Sequence, residues 1–283
     1  MKGMLMFKKI STIIMLSLFF IGLSVLLYPS VSTYWNSKTQ SQVVSSYENL
    51  IQNMSKEDSK AIFDAAEAYN ESLRQLEYPL RQYGKLEGYS QTLNLNDMGM
   101  MGYITIASIG VELPIYHTVS ESVLGFAAGH MEGSSLPVGG ESTHSVLSAH
   151  RGLPGAKLFT DLNRVQLGDT FTITILDTVI VYQVDQILTV SPENTTDIQI
   201  VEGEDYCTLV TCTPYGINTH RLLVRGKRLD TIVEKQVYVS NEAYQVDTLV
   251  VTPIVALPIL AVLIIIVLLQ PVKQERILEG DEL

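Results

Sequence analysis

The chain has 283 residues, of which 46% are hydrophobic, and a formal net charge of −11. That length holds one sizeable core together with membrane segments, and the charge excludes nucleic acid as a partner, because phosphate binding relies on clustered lysine and arginine. The acids are scattered and no His, Cys and Asp cluster has ligand spacing, so no metal and no other cofactor is expected.

Lys2, Lys8 and Lys9 stand before residues 10–28, a run of 19 residues without a charge. Such a run meets the roughly 20-residue requirement for a bilayer-crossing helix. The lysines keep the N-terminus, residues 1–9, in the cytoplasm, since basic residues resist translocation. The alternative is a cleaved signal peptide, with Ser30-Val31-Ser32 as a poor small-x-small site. Residues 29–101 then form an extracellular region. From about 40 to 83 it reads helical, with Val43, Tyr47, Leu50, Ile51 and Met54, then Ile62, Ala65, Ala66, Tyr69 and Leu73, recurring at helical spacing. Pro79 is expected to end that helix.

After a Gly/Asn-rich passage the pattern changes to short strands, at 102–106, 113–116, 142–148, 170–176, 179–189, 206–211 and 221–227. Many short strands between Gly/Pro turns indicate a mainly β barrel or sandwich over 102–230, with the N-terminal helices packed outside. Residues 231–247 link it to a second uncharged run, residues 248–272, which Lys273 and Arg276 follow. A second crossing there returns the tail, residues 273–283, to the cytoplasm and leaves the β unit outside, tethered to the plasma membrane.

The two cysteines, Cys207 and Cys212, lie in one predicted strand. Five steps of about 3.3 Å separate them by roughly 16 Å, whereas a disulfide needs Cα atoms within about 7 Å. Their odd separation also sends the side chains to opposite faces. Cys207 reads as a core residue, and Cys212 as a free thiol in an extracytoplasmic setting, which points to chemistry.

Cys212 ends the run Thr208-Leu209-Val210-Thr211-Cys212, and a Pro/Gly/Asn loop separates it from Arg221 at the head of the next strand. A thiol and a guanidinium at facing strand ends suit a nucleophile and an oxyanion donor. A base is still needed. Ser148-Ala149-His150-Arg151-Gly152 offers His150 where a strand meets a turn, in competition with His117, His130, His144 and His220, of which His220 is adjacent to Arg221.

These residues resemble the active-site signature of the sortases, membrane-anchored cysteine transpeptidases of Gram-positive bacteria. The longer wording is similar to the class C, pilin-polymerising members: Cys212-Thr213-Pro214-Tyr215-Gly216-Ile217-Asn218-Thr219-His220-Arg221, His150-Arg151-Gly152-Leu153-Pro154, Leu158-Phe159-Thr160-Asp161-Leu162, and Gly129-His130 with Ser135-Leu136-Pro137 close behind. The resemblance implies an eight-stranded sortase-type β-barrel over 102–230. It implies that Cys212 attacks an LPxTG-type sorting signal between Thr and Gly, that His150 serves as acid and base, and that Arg221 stabilises the oxyanion. The acceptor would be a lysine of the next pilin. Ser148, Thr211 and His220 are expected to line the substrate groove. A sortase that anchors proteins to cell-wall precursors, or an inactive module that binds sorting signals, are the alternatives.

Two departures stand out. Many class C sortases carry an Asp-Pro-aromatic lid over the cysteine, and this chain has no Asp-Pro dipeptide; Glu77-Tyr78-Pro79-Leu80 is the comparable feature. Tyr78 and Pro79 are therefore either a lid of different chemistry or a helix terminus. Ala149 stands where the resemblance calls for glycine, a small steric change.

Overall fold

The apolar N-terminal run and the periodic run behind it belong to one helix. The computed structural model describes residues 2–95, 99–153 and 155–229, and in it α1 spans Lys2–Gln52, with Pro29 inside it. Its stretch Thr12–Gln52 is long and apolar enough to cross a membrane. One compact unit begins at Val31 and holds everything described below; the residues before it belong to another. The linker 231–247, the second uncharged run 248–272, the tail 273–283 and residue 230 lie outside the described residues.

The helical region is broken earlier than its periodicity suggests. After α1, Ser55 caps α2, Lys56–Arg74, its hydroxyl accepting from the Asp58 amide at 3.0 Å. Glu57 and Asp58 in the first turn and Arg74 in the last suit the helix dipole. Pro79 does not end this helix; it opens a separate short one, α3, Pro79–Gln82, because a residue without an amide proton costs nothing at a first helical position. Buried hydrogen bonds join the helices to the β unit. The Tyr47 hydroxyl donates to the Met101 carbonyl at 2.9 Å and accepts from the Leu176 amide at 2.8 Å. The Asn70 side chain takes both backbone groups of Leu136, at 3.1 and 2.7 Å. Each pairing satisfies polar groups that water cannot reach.

The β unit is a closed barrel of eight strands: β1 Met100–Ile106, β2 Val111–His117, β3 Ala128–His130, β4 Thr143–Ser148, β5 Thr170–Ile175, β6 Thr178–Val190, β7 Asp205–Thr213 and β8 His220–Arg228. A four-residue helix, α4, Glu121–Leu124, lies between β2 and β3. The order around the barrel is β1-β2-β3-β4-β7-β8-β6-β5. The pairs β2–β3 and β4–β7 are parallel and the others antiparallel. Closure leaves no free sheet edge.

Period-two alternation divides each central strand between two apolar clusters. Leu147, Cys207, Leu209, Leu222 and Val224 join Phe171, Ile173 and Tyr182 in the main core. Their neighbours Val146, Val210 and Leu223 form a second cluster with Ile198, on the other face of the same three strands. The two cysteines follow the same parity: Cys207 is fully buried, which raises its thiol pKa well above the ordinary value, while Cys212 is partly exposed, and both are free.

Candidate active site

Three adjacent strands carry the residues that the sequence singles out for catalysis. Cys212 on β7 is the direct cross-strand partner of Arg221 on β8, so the two side chains leave the same face from Cα atoms about 4.5–5.5 Å apart. On the other side of β7 the parallel ladder with β4 runs to Ser148 opposite Val210. The Ala149 amide extends it by donating to the Val210 carbonyl at 3.2 Å. His150, two residues past Ser148, therefore falls level with Cys212, two residues past Val210. Thiol, imidazole and guanidinium stand in a row across one rim of the barrel, separated by single strand spacings of about 4.8 Å.

The turn that carries His150 is held from several sides. The Phe159 amide donates to the His150 carbonyl at 3.1 Å, and the Gly152 amide to the Thr160 hydroxyl at 3.1 Å. Arg151 reaches Asn163 at 2.9 Å and Thr213, next to the cysteine, at 3.3 Å. Gly152 has φ +75°, and a Cβ there would run into the Tyr215 ring from the β7–β8 loop. Both facts require glycine. From α1, the Asn36 amide donates to the Gly155 carbonyl at 2.6 Å.

The imidazole has one side-chain partner that no sequence pattern indicated. His150 Nε2 lies 3.1 and 3.2 Å from the two carboxylate oxygens of Glu121, the first residue of α4. Arg221 is in a different situation: its Nη1 donates to the carbonyls of Asn218 and His220, at 3.2 and 3.1 Å, and among the described residues it pairs with no carboxylate. The neighbouring arginines are engaged. Arg225 forms a two-pronged pair with Asp185 at 2.7 and 3.0 Å and lies over the Tyr206 ring, and Arg228 pairs with Asp205 at 3.0 Å.

The other predicted residues divide. Ser148 lies on the face of Val146 and Val210, partly exposed. Thr211 does not face that groove: it shares the parity of Cys207 and Leu209, is 2% exposed, and donates its hydroxyl to the Ala149 carbonyl at 2.8 Å. It thus ties the strand of Cys212 to the residue before His150 from behind. His220 is exposed at the head of β8, with Nδ1 2.9 Å from the Thr219 hydroxyl.

The rival histidines are committed elsewhere. His130, fully buried, lies between the Tyr89 hydroxyl at 3.0 Å and the Ser135 carbonyl at 2.8 Å. His144 shares the outward parity of Ser148 but is covered, between the Gln199 carbonyl and the Thr208 hydroxyl, both at 2.7 Å. Burial is the main cause that brings each pKa down to about 4. The ring nitrogens of His117 face the carbonyls of Gly99 and Thr92, at 2.8 and 2.9 Å.

At the lid candidate, Tyr78 is 54% exposed and Pro79 begins α3. Their neighbour Leu80 packs on the outer apolar patch of Val146, Val210 and Leu223, with Met131, Leu188 and Val190 around it.

Comparison with known proteins agrees with this architecture. A profile of the sortase domain matches residues 104–229. Sortase C1 of Streptococcus agalactiae is 46% identical, the match covering 67% of this chain and 99% of that one with a TM-score of 0.62. Sortase C of Streptococcus pneumoniae is 43% identical, with 67% and 97% covered and a TM-score of 0.61. Sortase C of Clostridium perfringens, solved with the C-terminal cell wall sorting motif, is 42% identical, with 67% and 99% covered and a TM-score of 0.59. Sortase A of Streptococcus agalactiae is 30% identical over 135 residues, 47% of this chain and 54% of that protein, so the chain spans about half the length of this curated relative. The barrel with its thiol-bearing rim is of the sortase type, and the chain belongs to the sortase family. The three solved structures named here are class C sortases.

Proposed function

We propose that this chain is a pilin-polymerising cysteine transpeptidase acting on LPxTG-type sorting signals. The observation that carries the reading is the cross-strand pairing of Cys212 with Arg221, with His150 level on the adjoining strand. The Cys212 thiolate attacks the Thr carbonyl carbon, and Arg221 N–H groups hold the oxyanion. A single such donor is worth about 3–4 kcal/mol in other acyl-transfer enzymes. As the tetrahedral adduct collapses, the Thr–Gly bond breaks and His150 protonates the departing glycine amine. A lysine amine of the next pilin then attacks the thioester and yields its proton to His150, and the thiolate leaves as the isopeptide bond forms.

Two further features fit. The outer apolar patch beside Cys212 offers the Leu-Pro part of a signal somewhere to bind, with Ser148 and His220 at its margin. Leu80 occupies that patch, so residues 78–80 act as a lid whose anchor is a leucine and not an aromatic residue. The N-terminal helix anchors the enzyme in the plasma membrane with the barrel outside the cell, the second uncharged run, residues 248–272, providing another tether.

The test is intact-mass spectrometry of the full chain in detergent micelles with an LPxTG peptide and a lysine-bearing pilin domain, alongside Cys212→Ala. A thioacyl adduct on Cys212 that moves to the pilin lysine is the expected result. Transfer only to a cell-wall precursor amine would make the protein an anchoring enzyme instead. No adduct on a thiol that alkylates readily would refute the substrate assignment.

A further inference from the structure

Glu121 belongs to none of the motifs above and stands 29 residues before the histidine, yet both its carboxylate oxygens lie within 3.2 Å of one ring nitrogen of His150. A carboxylate only accepts, so that nitrogen must carry a proton. We infer that Glu121 is the positioning residue of His150: it fixes the Nε2–H form of the ring and reserves Nδ1 for exchanging protons with the reacting amines. This rests on the role of His150 proposed above.

The fold delivers the carboxylate deliberately. Glu121 begins α4, whose first turn is closed by the Val123 and Leu124 amides on the Ser120 carbonyl, both at 2.9 Å. Ser120 is in turn linked to Thr118 and Ser122 through their hydroxyls, at 3.2 and 2.9 Å. This segment lies against β3 at Gly129, where a Cβ would collide with the Thr118 carbonyl and crowd Leu124. Gly129 is also the β4 partner of Ser148. The bare glycine therefore lets the segment settle at the end of β4, where His150 projects.

Direction follows from strand order. β3 and β7 flank β4 on opposite sides, so Glu121 draws Nε2 toward the β3 side, away from Cys212 on β7. The ring edge left for chemistry is the Nδ1 edge, for which no hydrogen-bond partner occurs among the described residues. The charged and titratable groups nearest the imidazole are Glu121 from α4, Arg151 next along the chain, Tyr215 against Gly152 and, by register, Cys212 from β7, with Arg221 and His220 one strand further on β8. Arg151 is turned to Asn163 and Thr213, which leaves Glu121 as the one carboxylate on the ring among the described residues. When Nδ1 takes a proton from the acceptor amine, this carboxylate faces the imidazolium that results. An orienting carboxylate of this kind acts on turnover and not on substrate binding.

The side chain is 82% exposed, so its replacement leaves the fold intact and the test is clean. The full chain in detergent micelles is compared with Glu121→Ala, Glu121→Gln and His150→Gln. For Glu121→Ala we expect kcat to fall about tenfold, a part of the roughly 10²–10⁴-fold that general acid–base catalysis contributes as a whole, with KM within about twofold and the melting temperature unchanged. Glutamine keeps an acceptor for Nε2–H and should recover most of the loss. Nitrogen-15 spectra of the histidine rings should show a single Nε2–H form of His150 in the parent and mixed tautomers in Glu121→Ala. An unchanged kcat and ring spectrum in Glu121→Ala, with His150→Gln inactive, overturns the inference, as does a rise in KM alone, which would make Glu121 a substrate contact. Should His150→Gln retain activity, it is the catalytic reading that fails, while the ring spectrum still reports whether Glu121 holds the imidazole.

Discussion

Thr211→Val removes one hydroxyl and almost no volume, and it asks whether the strand of Cys212 is fastened to the turn of His150 from inside the barrel. The hydroxyl is buried and donates to the Ala149 carbonyl at 2.8 Å. Valine leaves that carbonyl without this donor, and a buried polar group so stranded costs about 1–3 kcal/mol. For a unit of roughly 200 residues, each kcal/mol shifts the melting temperature by about 2–4 °C, so a drop of about 2–12 °C is expected. The same loss frees the turn that carries His150, and the thioacylation rate should fall several-fold while KM holds. Thr211→Ser keeps the hydroxyl and serves as the control: it loses a methyl, worth about 1 kcal/mol, and keeps its rate. Full-chain thermal melts and single-turnover acylation measure both quantities. A Thr211→Val variant that melts with the parent, or that raises KM at constant kcat, refutes this tie, the second result because it would make Thr211 a substrate contact.

Stability should fall in mild acid. His130 and His144 are held near 4 in the folded chain against the usual 6.5, so between about pH 6.5 and 4 the unfolded chain binds more protons than the folded one and stability declines as pH drops. Urea midpoints across that window measure the decline, and His144→Asn should make it shallower; an equally steep curve would argue against the assignment. Leu80→Ala should speed acylation of Cys212 by a sorting peptide, because it frees the patch of Val146, Val210 and Leu223, and equal rates in a stopped-flow assay would show that residues 78–80 do not compete with substrate. Arg221→Lys keeps the charge but loses the planar fork, and kcat should fall about 10²-fold; a near-normal rate would mean that charge alone suffices.

Much of this architecture is visible in the sequence because alternation and turn residues act locally. Seven of the strands reveal themselves that way, whereas β3, only Ala128-Gly129-His130, is too short to show a period and is defined by its neighbours β2 and β4. The helical run misleads for a related reason. Apolar spacing continues from α1 into α2, and the break is made by the Ser55 cap, while Pro79 begins a turn instead of ending one. At the rim, the parity that separates Cys207 from Cys212 also sends Thr211 inward, so being adjacent to Cys212 in the chain does not put its side chain on the same face. Glu121 had no local signal at all. Its meeting with His150 depends on β3 lying between two other strands and on the missing side chain of Gly129, relations that only the folded barrel contains.

The parallel pairing of β4 with β7 also bears on when the enzyme becomes active. Ser148 and Val210 meet at a sequence separation of 62, and the chain between them includes the whole β5–β6 hairpin. Contacts of such sequence separation form late, because the entropy of closing the loop must be lost before the contact can offset it. The β5–β6 hairpin and the β7–β8 pair can form from local contacts, the latter already aligning Cys212 with Arg221. The imidazole joins only when the barrel closes. By this ordering Cys212 and Arg221 meet before His150 stands beside them, and the three groups of the proposed mechanism are assembled only once β4 has paired with β7.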